Sequence, residues 1–298
     1  MKKVLIIGAN GYIGRHIAYF LKQQQVEFVP ADKAEASVDG YENYISVDVT
    51  SREALSALDF QVDTVFMFAG LTGTQNDEES VKRYTEVNEG GLKNVLECCR
   101  TNRPRVVFPS SRLVYKGQKE VFLKEDAEKE AKTVYAQNKI NCEAMLEHYD
   151  REYNIPYTIF RVCVPYGNLI DDTYSYGTLG FFLSKAMAGQ NITLYGSGEQ
   201  KRTFTHVSDI VHLMLRTLEN NPNSNDVYNI GSPDAKSLLE VANLVAAKFL
   251  VQVDHIEWPA EALKIESGDT IFDDTRILAA TNYNYQFTLK RWIEAIDL

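Results

Sequence analysis

Short runs of β-branched and aromatic residues alternate with longer stretches of helical period through the first half of the chain. Val4–Ile7, Phe28–Ala31, Tyr44–Val47, Thr64–Phe68, Val106–Pro109 and Tyr157–Val162 are the predicted strands. Several are apolar at nearly every position, which suits strands covered on both faces. Between them, Ile13–Leu21, Val81–Arg100 and Tyr135–Tyr153 carry amphipathic patterns and are predicted helices. Alternation of strand and helix builds right-handed βαβ units, so the expected fold is α/β, a doubly wound parallel sheet of Rossmann type. Thr50-x-x-Glu53 and Ser237-x-x-Glu240 fit the capping box that starts a helix.

The pattern changes after about Pro165. The stretch from Pro165 to Gly177 is rich in Gly, Tyr and Asp and is expected to form a loop over a site. Beyond it, helices are predicted at Leu179–Ala188, Ser208–Leu218 and Leu238–Leu250, with short strands between. The expected division is residues 1–164 and a smaller mixed α/β region at 165–298, with the chain crossing between the two. A length of 298 residues accommodates this.

Composition narrows the function classes. With 31 basic and 41 acidic residues the net charge is −10, which repels a phosphate backbone and argues against nucleic-acid binding. No apolar run approaches the roughly 20 residues that cross a bilayer. The apolar run in Met1–Gly8 is too short for a secretory signal. Cys98, Cys99, Cys142 and Cys163 have no CxxC spacing, as expected for reduced thiols in a cytoplasmic protein. His16, His148, His206, His212 and His255 show no paired ligand spacing, so no metal is expected.

Gly8-Ala9-Asn10-Gly11-Tyr12-Ile13-Gly14 follows the first strand and opens the first helix. Gly8 suits a tight turn, Gly11 lets backbone approach a pyrophosphate, and Gly14 lets helix pack on strand. The helix N-terminus then meets the phosphates with free N–H groups and a positive dipole end. Asp32 lies 18 residues after Gly14, at the end of the second strand, where a carboxylate binds the ribose hydroxyls and repels a 2′-phosphate. NAD is therefore favoured over NADP, although Lys33 beside it could offset the repulsion.

Tyr135 and Lys139 fall four apart in a predicted helix and so share a face. A phenol has a pKa of about 10, and a neighbouring ammonium favours its ionised form. The pair suits general acid–base work on an alcohol or ketone. Ser110 and Ser111, at the end of the strand Val106–Pro109, are placed to orient the substrate oxygen. Tyr115 and Lys119 repeat the spacing, but Gly117 puts them in a predicted loop. Arg161 and Arg202 suit an anionic substrate, since a fork of donors fits phosphate, with an interdomain salt bridge as the competing reading. Tyr166, Tyr174 and Tyr176 cluster in the predicted loop, where aromatic faces could stack on a sugar or base.

Together these residues resemble the extended short-chain dehydrogenase/reductase family, whose best-known members act on nucleotide-activated sugars. The resemblance spans nearly the whole chain. It includes Gly8-x-x-Gly11-x-x-Gly14, Asp32, Asp48-Val49, Ala69-Gly70, Val87-Asn88, Ser110-Ser111, Tyr135 and Lys139. Later it includes Arg161 with Tyr166-Gly167, Arg202-Thr-Phe-Thr-His-Val-Ser-Asp209 and Tyr228-Asn-Ile-Gly231. It implies a cofactor set of Gly8, Asn10, Gly11, Tyr12, Ile13, Gly14, Asp32, Asp48, Val49, Ala69, Gly70, Asn88 and Lys139, with Asp48 and Val49 flanking the adenine. It further implies that Tyr135 is the acid/base, that Lys139 binds the nicotinamide ribose and tunes Tyr135, and that Ser111 holds the reacting oxygen. Ser110, Arg161, Tyr166 and Arg202 would contact substrate, Arg202 at a diphosphate. A homodimer through the helices of Val81–Arg100 and Tyr135–Tyr153 is also implied.

The expected activity is NAD(P)-dependent oxidoreduction at a hydroxyl or keto carbon of a sugar, and of a nucleotide sugar in particular, as a 4-epimerase or a 4-ketoreductase. A non-catalytic NAD(P)-binding redox sensor, or a reductase of a non-nucleotide substrate, is the alternative. The family's 4,6-dehydratases carry an Asp-Glu pair just after the catalytic hydroxyl, where this chain has Arg112 and Leu113, so that subclass is not expected. Val164 stands where the family's epimerases usually present an asparagine. In the alignment with those enzymes, Glu266 takes the place of an arginine that clamps the diphosphate, a carboxylate that would repel such a group.

Overall fold

The structure is a computed structural model that describes residues 1–171, 177–222 and 225–296. It forms two compact units. The first comprises Met1–Val114, Thr133–Arg161 and Leu215–Tyr228, and the second Tyr115–Lys132, Val162–Met214 and Asn229–Leu298. The units therefore do not follow one cut at residue 164. Phe122–Leu123 pairs with Ile271–Phe272 in the second unit, whereas the strand Asp226–Ile230 is added to the large sheet. Pairings between residues so far apart along the chain override the contiguous pattern.

The large sheet contains β1 (Lys3–Ile7), β2 (Glu27–Asp32), β3 (Ile45–Ser46), β4 (Thr64–Met67), β5 (Arg105–Ser111), Tyr157–Val162 and Asp226–Ile230. The order across it is Asp226–Ile230, Tyr157–Val162, β5, β4, β1, β2, β3. The pairs β1–β2, β2–β3, β1–β4 and β4–β5 are parallel. Chain order reverses at β1, and ligands of such sheets bind beyond the carboxyl ends of the strands at that switch. Leu5, Ile7, Val65, Met67, Val106, Phe108 and Ile159 share a core with Leu92, Val95, Leu96, Cys142 and Leu146 of the covering helices. Val4, Ile6, Phe66 and Val107, at the alternate positions, are buried too, and burial on both faces is why these strands carry unbroken apolar runs.

Helix α1 (Tyr12–Gln23) follows the glycine turn. The amphipathic stretch predicted at Val81–Arg100 is two α-helices, Glu78–Tyr84 and Gly91–Cys99, joined by one wider π turn at Thr85–Gly90. The long helix Val134–Tyr153 starts at Thr133, whose side chain accepts from Ala136 N–H, and stops at Asn154 in the left-handed region. Ser237 and Glu240 form the expected reciprocal capping box. Thr50 does not cap its helix: Ser51 does, accepting from Ala54 N–H, because Thr50 is held by Asp48.

The second unit carries a three-stranded sheet in the order Ala235–Ser237, Lys201–His206, Val164–Tyr166, with one antiparallel and one parallel pairing. Ile192–Tyr195 pairs with Val253–Ile256. All four cysteines are free thiols. Among the described residues, no helix is long and apolar enough to cross a membrane, and no cluster of His, Cys, Asp and Glu could hold a metal ion.

Candidate functional site

At the carboxyl end of β1, a cleft of about 380 Å³ is lined by Gly8, Asn10, Gly11, Asp32, Lys33, Asp48, Val49, Ala69 and Gly70, together with Leu71, Arg83 and Val87. The chain can make this turn only with glycine at two places. Gly8 has φ +95°, and a Cβ there would lie 2.3 Å from Ala69 N. A Cβ at Gly14 would lie 2.1 Å from the carbonyl oxygen of Gly8. Gly11 is the N-cap of α1, no side chain caps it, and no acidic residue stands in the first turn. A bare helix N-terminus against a glycine turn is a phosphate cradle, so the residues present fit a dinucleotide. Of the residues expected at the cofactor, Tyr12, Ile13, Gly14, Asn88 and Lys139 are not in the cleft wall.

The rim is wired by hydrogen bonds. Asp32 Oδ2 accepts from Asn10 N–H at 3.0 Å, and Oδ1 accepts from Lys33 N–H at 2.7 Å. The Asn10 side chain donates to Ala36 O and accepts from Val38 N–H, tying down the loop after β2. Asn88, on the π turn, accepts from Leu71 N–H at 2.7 Å and donates to Leu71 O at 3.1 Å. It thus holds the segment after β4 from behind the wall. Asn94 does the same after β3, donating to the carbonyls of Val49 and Thr50.

At the end of β5, Lys139 Nζ donates to Pro109 O at 2.6 Å and lies 4.2 Å from the Phe108 ring centroid. It lies 5.6 Å from the ring centroid of Tyr135, one helical turn back, which is half-buried. Burial pulls the Lys139 ammonium down to about 8, opposed by Cys142 and Glu143. Ser111 is buried, and its Oγ accepts from Leu113 N–H. The strand runs on through Ser111, so Ser110 and Ser111 point to opposite faces of the sheet.

Ser110 faces inward and donates to Glu143 Oε1 at 2.6 Å. The same carboxylate accepts from Arg161 Nε at 2.9 Å and Nη2 at 2.7 Å. Arg161 and Glu143 are both 2% exposed at the side chain. Ser110 and Arg161 are thus both partners of the buried Glu143 carboxylate. Glu143 was not foreseen. The available signal was its place four residues beyond Lys139, on the same helical face.

In the second unit, Arg202 is likewise engaged. It donates to Glu266 Oε1 at 2.5 Å, to Lys201 O at 2.9 Å and to Gly268 O. The carboxylate expected to repel a diphosphate is instead the counter-charge of a buried arginine. Tyr166 is also buried, edge-on to His206 and to Trp292. Val164 lies buried on the strand Val164–Tyr166. Tyr115 is buried too, donating to Asn229 Oδ1. Tyr174 and Tyr176 lie outside the described residues.

The sequence profile of the NAD dependent epimerase/dehydratase family matches residues 4–231. The chain is 29% identical over 253 residues to UDP-N-acetyl-alpha-D-glucosaminuronate decarboxylase of Bacillus cytotoxicus, covering 81% of this chain and 78% of that one. Among solved structures it is similar to Pal from Bacillus thuringiensis, with a TM-score of 0.88 and 20% identity over 98% of this chain and 96% of that one. It is similar also to UDP-glucose 4-epimerase of Thermus thermophilus in complex with NAD. There the TM-score is 0.85 and the identity 22%, again over 98% and 96%.

Proposed function

Because the chain belongs to the NAD dependent epimerase/dehydratase family, we propose that it performs oxidoreduction at C4 of a nucleotide sugar, as a 4-epimerase or 4-ketoreductase. NAD, when bound, supplies the hydride acceptor and donor. Tyr135 takes the hydroxyl proton as the carbinol is oxidised and returns it to the ketone in the reverse direction. Lys139 holds a positive charge one turn from that phenol, and Ser111 orients the reacting oxygen. The observation that carries this reading is the joint placement of Tyr135 and Lys139 on one helix face, with Lys139 Nζ bonded to the strand end that bears Ser111.

An epimerase keeps its cofactor through turnover and a ketoreductase exchanges it, so activity without added nucleotide separates the two. Against 4,6-dehydration stands the absence of a carboxylic acid at Arg112 and Leu113, since elimination needs a proton donor and a base there. A second reading is oxidative decarboxylation, favoured by the name of the Bacillus cytotoxicus relative. Oxidation at C4 of a uronic acid makes a β-keto acid, which loses CO2 without a further acid group. The test is incubation with UDP-glucose, UDP-galactose, dTDP-glucose and UDP-glucuronic acid, read by NMR of the products. Tyr135→Phe is expected to lower turnover about 10²–10⁴-fold. A variant within tenfold of the parent, or no conversion of any nucleotide sugar, would overturn the proposal.

A further inference from the structure

The cofactor cleft contains a cation that the glycine turn and Asp32 do not account for. Lys33 directly follows the carboxylate that faces the ribose, and a cation at this place is the group that accommodates a 2′-phosphate in NADP-binding sites. In this chain it is engaged elsewhere: Lys33 Nζ lies 2.7 Å from Asp48 Oδ2. The other oxygen of Asp48 accepts from Thr50 N–H at 2.9 Å and Thr50 Oγ1 at 2.8 Å, which fixes the carboxylate. Asp32, Lys33 and Asp48 all line the cleft, with Arg83 as its other cation. Asp32 is itself fixed by the N–H groups of Asn10 and Lys33, so it does not turn away to admit a second anion.

We propose that Asp48 sharpens the choice of NAD over NADP by holding Lys33 away from the ribose 2′ position. Asp32 provides the main exclusion and Asp48 removes the one neighbouring group that would relieve it. The Lys33 ammonium draws the Asp48 carboxyl down to about 2, so the latch is charged throughout the neutral range. The Lys33 side chain is 75% exposed, and an ion pair this open to water is weak. The effect is therefore several-fold, not the orders of magnitude expected of Asp32. The inference concerns the cofactor alone and stands whichever sugar reaction the protein performs.

The test is a double-mutant cycle on nucleotide-free protein, with Kd for NAD and for NADP measured by calorimetry at low ionic strength. Asp48→Asn keeps an acceptor for Thr50 and removes the charge that holds Lys33; Lys33→Met removes the cation. Asp48→Asn is expected to raise NADP affinity relative to NAD about fivefold. Lys33→Met is expected to change that ratio less than twofold in the parent and to cost about fivefold in the Asp48→Asn background. A simple sum of charges predicts the same factor for Lys33→Met in both backgrounds, and that result would overturn the proposal. An Asp48→Asn ratio within twofold of the parent would also overturn it.

Discussion

Two ion pairs of the first unit put the same charges to opposite uses. Glu143–Arg161 lies between the helix Val134–Tyr153 and the strand Tyr157–Val162, with both side chains 2% exposed. Lys33–Asp48 lies on the rim of the nucleotide cleft, with side chains 75% and 32% exposed. Inside the protein, neither partner of the first pair has water to fall back on, so the pair is a fixed tie carrying Ser110 with it. On the rim, water competes for both partners, so the pair is weak and its effect on cofactor choice is several-fold. Access of water, not charge, separates a structural clamp from a selectivity device.

The largest way to break this comparison is to strand a charge in the buried pair. Glu143→Ala is expected to cost about 3–5 kcal/mol of unfolding free energy, measured by urea denaturation. Replacing both partners with methionine is expected to recover most of that loss. A single-variant cost no larger than that of Asp48→Asn would erase the distinction between the two pairs.

Next comes the proton balance beside the clamp. The Lys139 ammonium is depressed to about 8 by burial. The unfolded chain therefore keeps this proton to higher pH than the native state, and the stability lost to burying the ammonium is regained as pH rises from about 8 toward about 10.4. Activity runs the other way: kcat/KM is expected to fall about tenfold per pH unit above 8 as the cation beside Tyr135 is lost. Lys139→Arg is expected to move this limb upward, since a guanidinium stays charged. An alkaline limb that ignores this substitution would dissociate Lys139 from the proposed chemistry.

Smaller effects follow at single hydrogen bonds and at the rim. Ser110→Ala removes one of the donors to Glu143 and leaves the ion pair in place. Its expected cost is about 1 kcal/mol by urea denaturation. Lys33→Met is expected to cost no more than about 1 kcal/mol at neutral pH, falling toward zero in 1 M salt. The Asp48 carboxyl is depressed to about 2. Its contribution is thus complete above the unfolded value of about 3.9 and is lost as pH falls through 2.

What could be read along the chain was whatever local spacing decides. Strand cores such as Val4–Ile7 and Val106–Phe108 show because burial on both faces demands an apolar run. Gly8 and Gly14 show because no Cβ fits there. Tyr135 and Lys139 show because four residues make one helical turn. The assignment of Thr50 as a cap failed by one residue because Asp48 competes for its hydroxyl, a contact outside the capping pattern.

The amino-acid order by itself determined the alternating fold, the glycine turn and Asp32 at the end of the second strand, since each depends on residues within about one βαβ unit. Only the tertiary structure decided the partners of the arginines. Arg161 meets Glu143 across 18 residues and Arg202 meets Glu266 across 64. Nothing in the spacing of either arginine distinguishes a substrate anchor from an internal tie. A guanidinium takes whichever carboxylate the packing brings within reach, and that choice exists only once helix and sheet have come together.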